Sequence, residues 1–385
     1  MKRIFTVFLA VFLALGFVGC DFFGKPQTED RFEKTVREFE SSLEKTPHYY
    51  SKLNPTEKAA YASIVTTINS SGDIASVPEI DTASLQAVTR AVSYDNPQFL
   101  WLSKKWIVTH YATGASIEIP YLVPLEEREE MNAELERKVQ HILRGVNVTM
   151  SDYDKELYFH DYIVKNCNYD YSALSDEEFN DSYTAYGALV NGSAVCEGYA
   201  RAMQFLLSEV GIDSYLVPGT AIDSYGATVS HMWNVVKIDS EWYHLDPTWD
   251  DPVGNSDFSA VWHSYFNLTD EEIRRDHYYS EETNCTSTKA NYHIKNSLCF
   301  NSFNASDLAD QLADELYKAK RLNTNFVELR FLNQGDFTAA KQAFTGKNLI
   351  HTAVNRVNNK YGTKISTSFI YCSSIDKQFV IGIKF

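Results

Sequence analysis

Three residues in the middle of the sequence have the types and the order of a nucleophilic catalytic site. They are Cys196, His231 and Asp246, separated by 35 and 15 positions. A protonated thiol is a weak nucleophile, and a neighbouring imidazole that takes its proton leaves the reactive thiolate. A carboxylate on the other ring nitrogen fixes the tautomer and orientation of that imidazole. The three residues together predict an activated cysteine nucleophile.

A predicted helix positions the cysteine. Ser193 is a favourable N-cap, so we expect Cys196 in the first helical turn, where the helix dipole favours an anion. Gly198 is expected to allow the close approach of a neighbouring strand or of the substrate. A single cysteine on such a helix is also compatible with an ordinary core position, and the two partners change that balance.

A predicted hairpin positions the two partners. His231 and Asp246 lie on two predicted strands, residues 230–238 and 241–246, with a turn at residues 239–240. With a two-residue turn, Trp233 faces Asp246, and His231 lies diagonally beside Asp246 on the same face of the sheet. A three-residue turn would move Asp246 to the opposite face.

Other polar residues have weaker claims to a role. His160 is expected to be structural, and His244 is an alternative base because it shares the strand of Asp246. Asp250 and Asp251 follow a turn and are expected to be loop carboxylates, with cation binding as the lesser alternative. Neither a Gly-rich phosphate loop nor a Cys/His metal pattern is present, so we expect neither cofactor nor metal.

Three segments resemble one protein family. Residues 192–200, 231–235 and 242–250 resemble, in this order, the motifs of the transglutaminase-like superfamily and of its bacterial secreted branch. The resemblance covers about residues 150–275. It implies a papain-like α+β core, in which a helix that carries cysteine packs on an antiparallel sheet that carries histidine and aspartate.

The resemblance also implies roles for individual residues. Cys196 would be the nucleophile, His231 the base and Asp246 the orienting acid. The backbone N–H of Cys196 would contribute to an oxyanion hole, together with a donor upstream, for which Tyr183 and Tyr186 are the candidates.

The first twenty residues predict export. Lys2 and Arg3 precede an apolar run over residues 4–18, which is too short for a stable transmembrane helix and is typical of a signal peptide. Gly19 and Cys20 resemble the end of a bacterial lipobox, which implies a lipid on Cys20 and a location outside the cytoplasm on the cell membrane. Plain secretion is the alternative.

Composition limits the partners. The 385 residues carry a net charge of −16, which disfavours nucleic acid because binding to phosphates requires basic surface. A protein or peptide substrate, which the cell wall or cell surface could supply, is expected instead, with contact to the membrane only through the lipid. Of six cysteines, four would remain for up to two disulfides in three possible pairings: Cys167, Cys285, Cys299 and Cys372.

The chain divides into five predicted segments, in which small α+β domains flank the papain-like core. They are a signal peptide (1–20), a tether with a charged helix (21–49), an N-terminal α+β domain (50–148), the catalytic domain (149–303) and a C-terminal α+β domain (304–385). The last is expected to have helix, strand, helix, strand and strand at 306–321, 325–332, 335–357, 365–372 and 378–385.

The expected function is thioester-mediated acyl transfer or hydrolysis on protein or peptide amides, by a lipid-anchored protein outside the cytoplasm. The alternatives are a cysteine peptidase or amidase that acts on cell-surface peptides, and a non-catalytic binding protein that retains the fold.

Overall fold

Helices and strands alternate along the described part of the chain, which in this computed structural model comprises residues 27–175, 180–223, 225–251, 260–346 and 348–385. The helices are α1 (Gln27–Ser42), α2 (His48–Ser51), α3 (Pro55–Asn69), α4 (Thr82–Asp95), α5 (Leu125–Leu143), α6 (Asp152–Asn166), α7 (Cys196–Glu209), α8 (Asp270–Ile273), α9 (Tyr292–Lys295), α10 (Ala305–Arg321), α11 (Gln334–Thr345) and α12 (Asn348–Tyr361). The strands are β1 (Ile74–Val77), β2 (Ile107–Tyr111), β3 (Gly114–Glu118), β4 (Asn168–Tyr169), β5 (Ser193–Ala194), β6 (Ser214–Ile222), β7 (Thr228–Ile238), β8 (Glu241–Leu245), β9 (Phe266–Leu268), β10 (His277–Tyr278), β11 (Cys299–Phe300), β12 (Phe326–Phe331), β13 (Tyr371–Ile375) and β14 (Val380–Lys384).

The N-terminal unit consists of helices around a small sheet of strand order β1-β3-β2. Asn54 caps α3 in a reciprocal arrangement, because its side chain accepts from the Glu57 N–H at 3.0 Å while the Glu57 carboxylate accepts from the Asn54 N–H at 2.9 Å. Pro55 is the first residue of α3. This helix start agrees with the sequence pattern.

The α4 helix of this unit is tied to the helix that carries Cys196. Arg201 of α7 donates to the Ser93 carbonyl and hydroxyl, each at 2.7 Å, and Gln204 donates to the Tyr94 carbonyl at 2.9 Å. Because Arg201 also pairs with Glu197 at 2.9 Å, a buried polar contact joins α4 to the first turn of α7.

The catalytic unit is an antiparallel sheet of order β10-β6-β7-β8-β9 with α7 packed against β6 and β7. The predicted register of the hairpin is confirmed, since Ile238 pairs with Glu241 and Asn234 with Leu245. Its turn has two residues with left-handed backbone angles, Asp239 at φ 50° and Ser240 at φ 69°. Such turns match the twist of the flanking strands, and Asp246 therefore stays on the face of His231.

The predicted cap of the cysteine helix is wrong. Ser193 and Ala194 form β5, which pairs in parallel with β4, so the backbone remains extended until Val195 and α7 begins at Cys196 itself. Gly198 is required by the close approach of the chain before β5, because a Cβ there would lie 2.5 Å from the Ser182 carbonyl oxygen.

The C-terminal unit has a sheet of order β11-β12-β14-β13, in which β11 runs parallel to β12. Two predicted elements differ: residues 335–357 form the two helices α11 and α12, and the strand predicted at 365–372 begins only at Tyr371, after a short 3-10 helix. Buried polar contacts connect this sheet to the catalytic unit, for example Arg330 to Glu272 at 2.9 Å.

Four cysteines of the described residues are free thiols: Cys167, Cys196, Cys285 and Cys299. Cys20 and the predicted signal peptide lie outside the described residues. Within the described part of the chain, every helix is too short or too polar to span a bilayer.

A buried acid on α6 predicts a pH-dependent stability. Glu156 is fully buried and accepts one hydrogen bond, from the Asn267 amide at 2.8 Å. Burial raises the pKa of Glu156 from its ordinary value of 4.5 to about 8, against the smaller opposing effect of Asn267. The folded state therefore prefers the neutral acid. The free energy of unfolding falls as the pH rises from the pKa of Glu156 in the unfolded chain to its pKa in the folded protein.

We expect Glu156→Gln to stabilise the protein by about 2–4 kcal/mol at neutral pH, because the amide keeps the acceptor and never ionises. The gain should vanish below about pH 4.5, where the unfolded acid is also protonated. Urea unfolding at both pH values measures it, with Asp152→Asn on the exposed side of the same helix as control. An equal gain at both pH values would contradict the explanation.

Candidate active site

The three sequence-predicted side chains converge where α7 meets the central hairpin. Cys196 begins α7, His231 lies on β7 and Asp246 follows the last residue of β8. The Nε2 of His231 lies 2.6 Å from Oδ2 of Asp246, and Cys196 is close enough to the His231 ring to contribute to the raised pKa of that ring. With Nε2 directed at the carboxylate, Nδ1 is the nitrogen that remains for sulfur.

The electrostatics favour a charged imidazole. Burial alone would lower the pKa of His231, but the charges and hydrogen bonds of Asp246 and Cys196 outweigh burial and raise this pKa to about 10. For Asp246, burial would raise the pKa, yet His231 and His277 hold it well below its usual range. The pair is therefore an imidazolium beside a carboxylate, in a site where His231 is 6% exposed.

The orientation of the Asp246 carboxylate is fixed on its other side by the backbone. Oδ1 accepts from the Thr248 N–H at 3.0 Å and from the Trp249 N–H at 3.4 Å. Oδ2 is thereby directed at His231, and the Trp249 ring lies 5.4 Å from the His231 ring.

A second histidine contacts the same carboxylate oxygen. Nε2 of His277 lies 3.1 Å from Oδ2 of Asp246, and its Nδ1 lies 2.7 Å from Oδ1 of Asp276. All three side chains are fully buried. His277 was not predicted from the sequence, because this residue lies on the two-residue strand β10 and belongs to none of the three motifs.

The two tyrosines predicted to help an oxyanion hole have their hydroxyls engaged elsewhere. Tyr183 donates to the Ala173 carbonyl at 3.1 Å, and Tyr186 donates to Glu134 of α5. Tyr169 of β4 is a better candidate. Its pKa is raised by burial first and then by the charges of Cys196, Tyr171 and Asp246. The pairing of β5 with β4 is the contact that brings Tyr169 beside Ala194.

Two of the lesser candidates are bound to other partners. His244 accepts from the Trp233 indole N–H at 3.0 Å through Nδ1, and its Nε2 lies 2.8 Å from Asp270. Both ring nitrogens of His160 face carboxylates, those of Asp161 and Asp250. Neither ring is directed at Cys196.

Asp250 lies in a turn after β8, as expected of a loop carboxylate, but its side chain does not face solvent. Asp250 is fully buried and accepts from the Tyr265 N–H at 3.0 Å, because the chain returns over it from residue 260 onward. Asp251 is partly buried and accepts from the Tyr199 hydroxyl at 2.6 Å.

A cavity of about 200 Å³ opens beside the first turn of α7. Its walls come from both units: Glu197 and Thr184 on the catalytic side, and Tyr94, Trp106 and Lys104 on the N-terminal side. Aromatic rings next to charged groups give the cavity a mixed surface, on which a peptide could lie.

A match to a known protein family falls on the part of the chain that contains Cys196, His231 and Asp246. Residues 140–247 match the family model of the Transglutaminase-like superfamily. This part of the chain belongs to the transglutaminase-like superfamily, and its fold is α+β with a papain-like core. No curated protein sequence matches the chain.

Among solved structures, the chain is similar to a transglutaminase (15% identity, 46% of this chain and 50% of that one, TM-score 0.28). It is also similar to a candidate cysteine protease from Cytophaga hutchinsonii (14%, 37% and 61%, TM-score 0.24) and to an arylamine N-acetyltransferase from Bacillus cereus with a Cys-His-Glu triad (16%, 31% and 51%, TM-score 0.26). The chain therefore spans between half and about three-fifths of the length of these three proteins, and likeness at this level carries no information about activity.

Proposed function

We propose that this protein is a cysteine enzyme that transfers or hydrolyses acyl groups of protein or peptide amides through a thioester on Cys196. The observation that supports it most directly is the 2.6 Å contact between His231 and Asp246, next to Cys196 at the start of α7, which contributes to the raised pKa of the same imidazole. A buried histidine held between a carboxylate and a thiol is the arrangement that activates a cysteine nucleophile.

In the proposed reaction, the Cys196 proton resides on His231 before the substrate binds, and the sulfur attacks the carbonyl carbon. The C–S bond forms as the C=O π electrons move to oxygen and give a tetrahedral oxyanion. The oxyanion then collapses, the C–N bond breaks, and His231 returns the proton to the leaving amine or ammonia. Finally, an amine or water attacks the thioester and releases Cys196, while Asp246 keeps the imidazole in the required tautomer.

The oxyanion has two proposed donors. The N–H of Cys196 is among the first four of α7, which have no partner within the helix. The Tyr169 hydroxyl is the second donor, since Tyr169 pairs with Ala194 two positions before the nucleophile. Tyr183 and Tyr186 are not proposed for this role because their hydroxyls already donate to Ala173 and Glu134.

The cavity beside Glu197 is the proposed position of the acyl-donor peptide. It adjoins the residue after Cys196, and Trp106 and Tyr94 offer rings to apolar side chains of a substrate. The N-terminal unit would then determine substrate selection, while the catalytic unit performs the chemistry.

The test is incubation of the purified protein with a library of acyl-donor peptides, with and without a fluorescent primary amine. Covalent incorporation of the amine would identify a transferase, and release of free acid or of peptide fragments would identify a hydrolase or peptidase. Cys196→Ala is the control in both arms. Equal yields from the wild-type protein and this variant would refute the proposal, and a non-catalytic binding protein would then explain the fold.

The location outside the cytoplasm, through a lipid on Cys20, is part of the proposal and rests on the amino-terminal sequence. We expect Cys20→Ser to release the protein from the membrane fraction, because a single lipidated cysteine would be its attachment. Fractionation followed by mass spectrometry of the amino terminus measures this. An unlipidated wild-type chain that is cleaved at another position would contradict it, without bearing on the chemistry of Cys196.

A further inference from the structure

A second cluster of ionisable side chains lies on α6, apart from the candidate active site. His160 and Asp161 are consecutive on α6, and His263 precedes β9. Oδ1 of Asp161 lies 3.3 Å from Nδ1 of His160 and 3.0 Å from Nε2 of His263. One donor atom from each of the three residues lies within 4.8 Å of the others, which is the spacing of ligands around one metal ion.

Each of the two imidazoles has its other nitrogen on a buried carboxylate. Nε2 of His160 lies 3.1 Å from Asp250, and Nδ1 of His263 lies 2.7 Å from Glu328 of β12. Asp250 is fully buried and Glu328 is 3% exposed. Metal-binding histidines are held in this way, because a carboxylate on the outer nitrogen fixes the tautomer and directs the inner nitrogen at the ion.

Carboxylates surround the two imidazoles of the cluster. Asp161, Asp250 and Glu328 face the two rings, and the one further cation is Lys165, whose Nζ lies 3.0 Å from Oδ2 of Asp161. A divalent cation would take the place of the protons that the two imidazoles share with these carboxylates.

One buried histidine next to the cluster lacks a well-aligned hydrogen bond. Both ring nitrogens of His293 are without such a partner among the described residues, although the side chain is fully buried. Its Nε2 lies 3.5 Å from Oε1 of Glu328. A buried polar ring rarely remains unsatisfied, so the cluster is incomplete as the protein side chains alone form it.

The cluster is also accessible. Asp161, with 27% of its side chain exposed, and His263 line a cavity of about 800 Å³ between α6 and the C-terminal unit. An ion at this position would therefore have a protein face made of His160, Asp161 and His263 and an open face towards the cavity.

We propose that His160, Asp161 and His263 bind a divalent transition-metal ion, with Asp250 and Glu328 as the outer carboxylates that orient the two imidazoles. Two imidazoles and one carboxylate are a ligand set typical of Zn²⁺. Because Glu328 belongs to the C-terminal sheet, the ion stabilises the contact of that sheet with α6. The proposal does not depend on the activity of Cys196. In the alternative, the same side chains only hydrogen-bond one another and bind no metal ion.

The experiment uses the full chain with Cys196→Ala, so that zinc does not bind the nucleophile. The metal-stripped protein is titrated with Zn²⁺ alone by calorimetry and with Co²⁺ alone by visible absorption. We expect one equivalent to bind, and the cobalt spectrum to lack the sulfur charge-transfer band that ligation by the remaining cysteines would give. A folded protein that binds no stoichiometric ion, or a spectrum with sulfur ligation, would overturn the proposal.

Two variants on the same helix locate the site. Asp161→Asn removes a charged ligand at a partly exposed position, and we expect at least a tenfold loss of Zn²⁺ affinity, in the range found when metal-orienting groups are removed. Asp152→Asn, which loses only an exposed pair with Lys155, should bind as the parent does. Unchanged affinity in Asp161→Asn, with circular dichroism showing a folded chain, would place the ion elsewhere and refute the assignment.

Discussion

Replacing Cys196 with alanine is expected to lower turnover by about three orders of magnitude or more, since the members of a nucleophile–base pair act as a unit. The same change should abolish alkylation by iodoacetamide at mildly acidic pH. The pKa of His231 is about 10, so at that pH its positive charge acts on Cys196, whereas burial raises the pKa of Cys167 to about 12 and that of Cys299 to about 11. Those thiols react slowly as a result.

Mass spectrometry of the alkylated protein measures this prediction directly. Peptides that contain Cys196 should carry the label first, and Cys299→Ala should leave both the labelling of Cys196 and the turnover unchanged. A Cys196→Ala protein that retains full turnover would contradict the proposed chemistry. His231→Gln separates the base from the nucleophile, because it should slow alkylation while the thiol is still present.

The hairpin was the part of the site that the sequence could predict in detail. A two-residue turn at Asp239 and Ser240 has only one register, and the side-chain period of two then places His231 and Asp246 on one face. The reasoning is local, so it holds without knowledge of the rest of the chain. The helix start at Cys196 is not local in this sense. Whether Ser193 caps a helix or joins a strand depends on β4, which lies about 25 positions away.

Contacts between segments that are distant in the chain could not be predicted. His277 reaches Asp246 only because β10 pairs with the outer edge of β6. The cluster on α6 combines His160 and Asp161 with His263, about a hundred positions away, and with Glu328 of the C-terminal unit. Metal sites that can be recognised in a sequence have all their ligands at short spacings, whereas His263 lies about a hundred positions from His160 and Asp161.

The Asp246→Asn variant is expected to lower kcat by about 10³–10⁴-fold, close to the loss that follows when a triad histidine is held in the wrong tautomer. Oδ1 of Asp246 accepts from the backbone N–H groups of Thr248 and Trp249, so the amide oxygen of an asparagine must take that side. The amide NH₂ then faces the rings of His231 and His277. Because two donors cannot hydrogen-bond each other, Nε2 of His231 must become the acceptor, and its proton moves to the nitrogen that faces Cys196.

Comparing the turnover of Asp246→Asn with that of His277→Phe separates the contribution of the His231 contact from that of the His277 contact. This variant removes the second imidazole from Oδ2 of Asp246 but leaves the 2.6 Å contact with His231, so we expect a loss of no more than about a hundredfold, as for a group that only positions another. The pH dependence of kcat/KM should shift in His277→Phe, because Asp246 loses a hydrogen-bond partner, whereas a purely structural role would leave the profile in place. Losses of equal size in Asp246→Asn and His277→Phe, with both proteins folded, would show that the two imidazoles act as one unit on the carboxylate and that His231 alone does not determine the activity of Cys196.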